Sequence, residues 1–259
     1  MNTSTPTGTL YLVPTPLDFG CEGADIGLTS ALPAHTIEVA SSLTHWITEN
    51  AKSTRAFLKR VGNVHTLVAP LQEQHITELP RQVHKKGDHD SHNSFDASPL
   101  LAAALQGQDI GLVSEAGMPA IADPGASVVR AAHALGLPVV PLVGPISLML
   151  ALAASGLNGQ NFAFVGYLPQ DAAGRAQRVR ELEALAARTG QTQLFIETPY
   201  RNAALLQSLL QTLKPTTGLA LCCGITLPQQ RIHSARAADW KKRTPSLPID
   251  LPTVFLIGA

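Results

Sequence analysis

The sequence is poor in the residues that would commit it to several common classes. Among 259 residues it has three Cys, two of them adjacent at Cys222 and Cys223, so no disulfide framework can form and no CxxC spacing serves a structural metal. Such usage fits a reducing compartment. Charged residues make up 15% of the chain, 19 basic against 19 acidic, and aromatic residues only 5%. Zero net charge supplies no long-range attraction for polyanions, which disfavours a general DNA or RNA coat and leaves nucleic-acid binding to a local patch. The start, MNTSTPTGTLYLVPTPL, lacks a basic leader and an unbroken apolar core, because Pro14 and Pro16 interrupt the run; a cytoplasmic protein is expected. From Ala131 to Gln170 there is no Asp, Glu, Lys or Arg, yet Pro138, Pro141, Gly144 and Pro145 cut the stretch into pieces shorter than the ~20 residues of a membrane span.

What is present is an apolar fraction of 45%, enough to demand a packed core, arranged as short Val-, Ile- and Leu-rich runs between segments of helical period. The alternation predicts an α/β fold with parallel strands and crossover helices. Strands are expected at Thr9–Val13, His45–Glu49, His65–Ala69, Ile110–Ser114 and Val139–Val143. Helices are expected at Lys52–Val61, Ser98–Gln106, Ala126–Leu135 and Pro145–Ser155, with Pro145 at the first helical position. The break Gly156-Leu157-Asn158-Gly159 divides this parallel-sheet domain, residues 1–157, from a smaller α/β domain, 158–259. The second domain is expected to hold strands Phe162–Tyr167, Thr192–Glu197, Gly218–Cys223 and Thr253–Ile257, with helices Arg175–Arg188 and Tyr200–Leu213. No internal repeat is visible. Residues 79–97 read as a solvated loop, either a substrate-contacting segment or a plain linker.

The most informative segment is Ile110–Gly125, IGLVSEAGMPAIADPG, a buried strand running into a glycine turn. In an open parallel sheet ligands lie at the carboxyl ends of the strands, so Ser114, Glu115, Ala116 and Gly117 are expected to turn backbone N–H groups toward a small ligand. The loop Pro141–Ser147 follows an expected adjacent strand and opens an apolar helix, whose unpaired N–H groups suit a carboxylate or polar ligand edge. Neither is GxGxxG or GxxxxGK[ST], so no dinucleotide or triphosphate cradle is indicated. Each alone is also compatible with a tight turn.

Together these blocks carry a resemblance. Gly8–Val13 with Thr15-Pro16, LVSEAGMPAIADPG at 112–125, PLVGPIS at 141–147 and ALAASGL at 151–157 resemble the tetrapyrrole-methylase superfamily of S-adenosylmethionine-dependent methyltransferases. The likeness continues through Phe162–Pro169, Phe195–Arg201 and Ile225-Thr226-Leu227, and is greatest to bacterial enzymes that methylate a cytidine ribose 2′-oxygen in small-subunit ribosomal RNA. Three places depart from the pattern: Leu17-Asp18-Phe19 replaces isoleucine–glycine–asparagine, Glu115 and Met118 replace aspartate and threonine, and a compact glutamate–aspartate–threonine–arginine block is spread over Glu49–Arg55.

The resemblance implies two α/β domains with S-adenosylmethionine in the cleft between them. It implies cofactor contacts from Pro16, Ser114, Glu115, Ala116, Gly117, Met118, Gly144, Pro145 and Ser147, and from Ile196, Ile225, Thr226 and Leu227 of the second domain. It also implies a homodimer with ribosomal RNA or the small ribosomal subunit as partner. Methylation of a tetrapyrrole-like small molecule, or cofactor binding without turnover, stand as alternatives. A ribose hydroxyl needs a base or a cation to handle its proton and developing charge, and Glu49, Lys52 and Arg55 are the candidates because they follow a strand end. The competing reading has Lys52 and Arg55 solvating a helix face while Glu49 caps it.

Other clusters have plainer readings. His89 and His92 with Asp88, Asp90 and Asp96 lack the rigid scaffold that metal ligation needs, and no metal is expected; His89, His92 and Asn93 resemble an acceptor-facing stretch of the rRNA enzymes. Cys222 and Cys223 read as apolar packing. Lys85-Lys86 and Lys241-Lys242-Arg243 beside Trp240 read as solvated charge.

Overall fold

The computed structural model describes residues 6–18, 27–80, 83 and 95–259. Phe19, Lys85, Lys86, Asp88, His89, Asp90, His92 and Asn93 lie outside the described residues. The chain divides into two compact units, Met1–Ile146 and Ser147–Ala259.

In the first unit β1 (Leu10–Val13) is followed by α1 (Leu28–Ala31), α2 (Ala34–Ser42), β2 (His45–Thr48) and α3 (Ala51–Val64). Then come β3 (His75–Glu78), a 3-10 turn Ser98–Leu101 leading into α4 (Ala102–Leu105), β4 (Ile110–Val113), α5 (Ala126–Ala134) and β5 (Val139–Pro141). The strands form one sheet in the order β3-β2-β4-β1-β5, every pair parallel. Strand periodicity assigns side chains to two faces. Leu10, Ile47, Ile110 and Leu112 join Val128 and Ala132 of α5 in one core. Val13, Trp46 and Val113 join Ile37 of α2 and Leu58 of α3 in the other. Trp46 is 1% exposed, and its indole N–H donates to Gln74 Oε1 at 2.9 Å, the partner a buried indole requires.

The order positions the site. From β1 to β2 the chain passes over β4, and from β4 to β5 it passes over β1, so the winding reverses around the β4–β1 pair, where crevices open beyond strand ends. The expected β4 and β5 turns are therefore not on adjacent strands; β1 lies between them. The strand expected at His65–Ala69 is absent, since α3 runs on to Val64 and the edge strand is β3. Pro145 precedes a helix that begins at Ser147 rather than occupying its first position.

In the second unit the elements are α6 (Ser147–Ser155), β6 (Phe162–Tyr167), α7 (Ala172–Thr189) and β7 (Thr192–Ile196). A 3-10 turn, Pro199–Arg201, leads into α8 (Asn202–Thr212), β8 (Gly218–Cys223), β9 (Arg231–Arg236), α9 (Ala237–Lys242) and β10 (Thr253–Gly258). The sheet order is β6-β7-β10-β8-β9, with β6 and β7 parallel and the other pairs antiparallel. Its core stacks Phe195 on Phe255, ring centroids 5.9 Å apart, beside Trp240, whose indole N–H donates to the Leu219 carbonyl at 2.9 Å. Asp171 caps α7 by accepting from the Gly174 N–H at 2.7 Å. Cys222 and Cys223 are fully buried, and burial pushes the Cys222 thiol up to about 12, which fits inert packing.

The unit boundary falls before α6, not at residues 157–158. Leu157 packs against Gly218 and Gly258, where a Cβ would stand 3.1 Å from its side chain, and the Cys222 thiol donates to the Ala151 carbonyl at 3.7 Å. An apolar helix follows the surface it can cover, and here that surface is the second sheet. Among the described residues no helix is long and apolar enough to cross a membrane.

Candidate functional site

The turn after β1 is tied to the turn after β4 by two backbone hydrogen bonds, Thr15 N–H to the Gly117 carbonyl at 3.0 Å and Gly117 N–H to the Thr15 carbonyl at 3.1 Å. Thr15 Oγ1 also donates to the Ser114 carbonyl at 3.3 Å. Gly117 is therefore not the free N–H donor expected: its amide is spent on Thr15. Its role is steric. At φ +81° it occupies a conformation that suits glycine, and a Cβ there would lie 3.0 Å from Leu17 Cδ2 and 3.5 Å from the Pro145 carbonyl oxygen. The β5 turn closes on the same place, because a Cβ on Gly144 would stand 2.2 Å from Pro14 Cγ. The structure thus brings Pro16, Ser114–Met118, Gly144 and Pro145 around the ends of three neighbouring strands. Ser147 begins α6 in the second unit.

Beyond Met118 the backbone stays unusual. Ala120 and Ala122 both have φ +64°, a region L-residues adopt at a cost of about 1–3 kcal/mol that surrounding structure must hold in place. This loop roofs an apolar pocket of about 480 Å³ with Leu12, Val129, Arg130, Pro141 and Ile146. The Ser114 hydroxyl, 4% exposed, is buried without a hydrogen-bond partner among the described residues.

On the other side of β4 the β2 end supplies Glu49 and Asn50. Asn50, not Glu49, caps α3: its Oδ1 accepts from the Lys52 N–H at 2.9 Å, while its Nδ2 donates to Glu115 Oε1 at 2.8 Å. Lys52 and Arg55 are exposed on the first turns of α3, and Arg55 Nη1 reaches the Ala51 carbonyl at 3.5 Å. Asp123 was not among the expected site residues. Burial, reinforced by Glu49 and then Glu115, pushes its carboxyl up to about 7. The DPG tripeptide just ahead of α5 was the available sequence signal. Among the described residues no group of three or more His, Cys, Asp or Glu is placed to hold a metal ion.

In the second unit Ile196 ends β7, and Ile225, Thr226 and Leu227 form the turn after β8. Thr226 has φ +71°, exceptional for a β-branched residue, and is held by its N–H donating to Gln230 Oε1 at 2.8 Å and by Leu227 N–H donating to the Gly224 carbonyl at 2.8 Å. Its hydroxyl is buried without a hydrogen-bond partner among the described residues, as in Ser114. Buried Glu197 organises the next turn. Its Oε1 accepts from the Thr198 N–H at 2.7 Å and pairs with Arg201 Nη2 at 2.9 Å.

These features have known relatives. The family model for tetrapyrrole (corrin/porphyrin) methylases matches residues 47–240. The chain is 30% identical over 232 residues to the ribosomal RNA small subunit methyltransferase I of Escherichia coli O157:H7, covering 90% of this chain and 70% of that one. It is 31% identical over 240 residues to the protein of that name from Vibrio cholerae, covering 92% and 73%. Among solved structures, the methyltransferase CobJ superposes with a TM-score of 0.55 at 17% identity, covering 97% of this chain and 94% of the other. The uroporphyrin-III-C-methyltransferase of Thermus thermophilus gives 0.50 at 18% identity over the same shares, a likeness of fold. The chain belongs to the tetrapyrrole methylase family. It is a methyltransferase, as the resemblance implied, built from two α/β units.

Proposed function

We propose that the protein transfers a methyl group from S-adenosylmethionine to a ribose 2′-hydroxyl of small-subunit ribosomal RNA. The observation that carries this reading is the 30% identity over 232 residues to a ribosomal RNA small subunit methyltransferase, which spans both units. The orphaned hydroxyls of Ser114 in the first unit and of Thr226 in the second are each suited to a polar ligand atom. When bound, the cofactor supplies an electrophilic methyl group on a sulfonium. The residues that would hold it are Pro16, Ser114, Glu115, Ala116, Gly117, Met118, Gly144, Pro145 and Ser147, together with Ile196, Ile225, Thr226 and Leu227.

The chain's own task is to align the acceptor oxygen, exclude water and take up the hydroxyl proton. Glu49, at the end of β2, is the proposed proton acceptor. Lys52 and Arg55, on the exposed start of α3, would hold the acceptor's phosphates and offset the developing oxyanion. The family likeness further supports a cytoplasmic homodimer.

Labelled methyl donor presented with small ribosomal subunits, bulk RNA and porphyrinoid precursors tests the acceptor. Label in the ribosomal RNA is expected; label in the porphyrinoid alone would replace the acceptor, and label in none would leave cofactor binding only. Lys52→Ala is expected to lower turnover more than S-adenosylhomocysteine affinity, and unchanged turnover would return Lys52 to solvent.

A further inference from the structure

The second unit carries an exposed aromatic ring that the methyl-transfer site does not use. Tyr200 is 80% exposed, the most open of the exposed large hydrophobic and aromatic side chains among the described residues. It sits in the 3-10 turn after β7, and the Arg201 guanidinium lies 5.3 Å from its ring centroid. That guanidinium does not wander. Glu197, with a side chain 5% exposed, grips Arg201 through Nη2 at 2.9 Å and Nε at 3.1 Å, and Thr198 Oγ1 accepts from the same Nε at 3.0 Å. One buried carboxylate therefore fixes the cation that backs the ring, while the ring stays open to solvent. Another tyrosine, Tyr167, 59% exposed, ends the parallel strand β6 in register with Ile196.

An exposed tyrosine leaves apolar surface in water, and an immobilised arginine gives up side-chain freedom; both costs are recovered when a flat, polarisable partner covers the ring. A nucleobase has that shape, and stacking on aromatic or guanidinium planes accepts any base because every base has a π-face. A chain without net charge has little long-range pull on RNA, so short-range stacking is a fitting means of holding an unpaired strand.

We propose that Tyr200, backed by Arg201, is a stacking platform for an unpaired base of the RNA acceptor. The proposal rests on the ribosomal RNA reading and names a recognition element for it. Tyr200 positions the strand and takes no part in the chemistry. Stacking needs the ring and not the hydroxyl, which separates it from a hydrogen-bonding role.

The test uses the full chain with Tyr200→Ala and Tyr200→Phe, a single-stranded RNA oligonucleotide bearing 2-aminopurine, and small ribosomal subunits. Tyr200→Ala is expected to weaken oligonucleotide binding about tenfold, abolish the fluorescence change of the reporter base and raise KM for subunits while S-adenosylhomocysteine affinity holds; Tyr200→Phe keeps all of these. If the parent methylates subunits and Tyr200→Ala matches it in binding and KM, the platform falls and the ribosomal RNA reading stands. Loss in Tyr200→Phe equal to that in Tyr200→Ala also overturns stacking, in favour of the hydroxyl. A parent that neither binds the oligonucleotide nor methylates subunits overturns both.

Discussion

The side-chain amide of Asn50 works in two directions at once, capping α3 through Oδ1 and donating from Nδ2 to Glu115 Oε1 at 2.8 Å. The contact joins Asn50, which follows β2, to Glu115 in the turn after β4.

Asn50→Ala is expected to cost about 1 kcal/mol through the lost cap, lowering Tm by about 2–4 °C, and to release Glu115. Glu115→Asp keeps the cap but shortens the reach, so it should spare Tm while lowering methyl transfer. Thermal melts and a methylation assay on both variants check this; equal activity in Glu115→Asp would make the contact decorative.

Gly117→Val is expected to weaken S-adenosylhomocysteine binding about tenfold or more by calorimetry. Because φ is +81° and the nearest atom to a Cβ is Leu17 Cδ2 at 3.0 Å, it should also cost about 1–3 kcal/mol in denaturant titration. A folded variant with unchanged affinity would move the cofactor away from these turns.

Asp123 makes stability depend on pH. Its folded-state value of about 7 lies above the ordinary 3.8, so the native protein holds a proton that the unfolded chain releases first, and stability is lost as pH rises from about 4 to 7. Asp123→Asn, neutral throughout, should gain Tm over the parent across that interval and keep a constant lead above it. A lead that does not grow with pH would mean that the Asp123 carboxyl is not raised in the folded chain.

His45 and His75 stack with ring centroids 4.7 Å apart at the start of β2 and β3. Burial, and then His75, hold His45 below its usual 6.5. Here the unfolded chain takes the proton first, so stability is present above pH 6.5 and declines as pH falls toward the folded-state value. His45→Gln is expected to flatten the dependence of Tm on pH below 6.5; an unchanged slope would assign it elsewhere.

Most of the first sheet was legible because its central strands are buried on both faces and therefore read as unbroken apolar runs, as in Ile110–Val113. The edges were not. β3, His75–Glu78, has one apolar residue, and β9, Arg231–Arg236, points mostly charged or polar groups outward, so neither carries the period that marks a strand. Apolar residues at 65–69 drew the third strand to the wrong place, whereas α3 outlasted its apolar period and took up Val64. At the site the turns were legible from glycine and proline, but their pairing was not: nothing in the residues 112–125 says that Gly117 spends its amide on Thr15, a contact between positions far apart in the chain. Asp123 escaped for a similar reason, because its raised protonation comes first from burial, which the tertiary fold imposes, and then from Glu49 and Glu115.

The two tryptophans are divided evenly, Trp46 beneath the first sheet and Trp240 beneath the second, each sealed from water and hydrogen-bonded within its own unit. Each unit thus carries a private fluorophore. Replacing either indole with phenylalanine leaves a single emitter that reports one unit's melting alone, so the cooperativity of the whole chain can be read from whether the two colour shifts coincide.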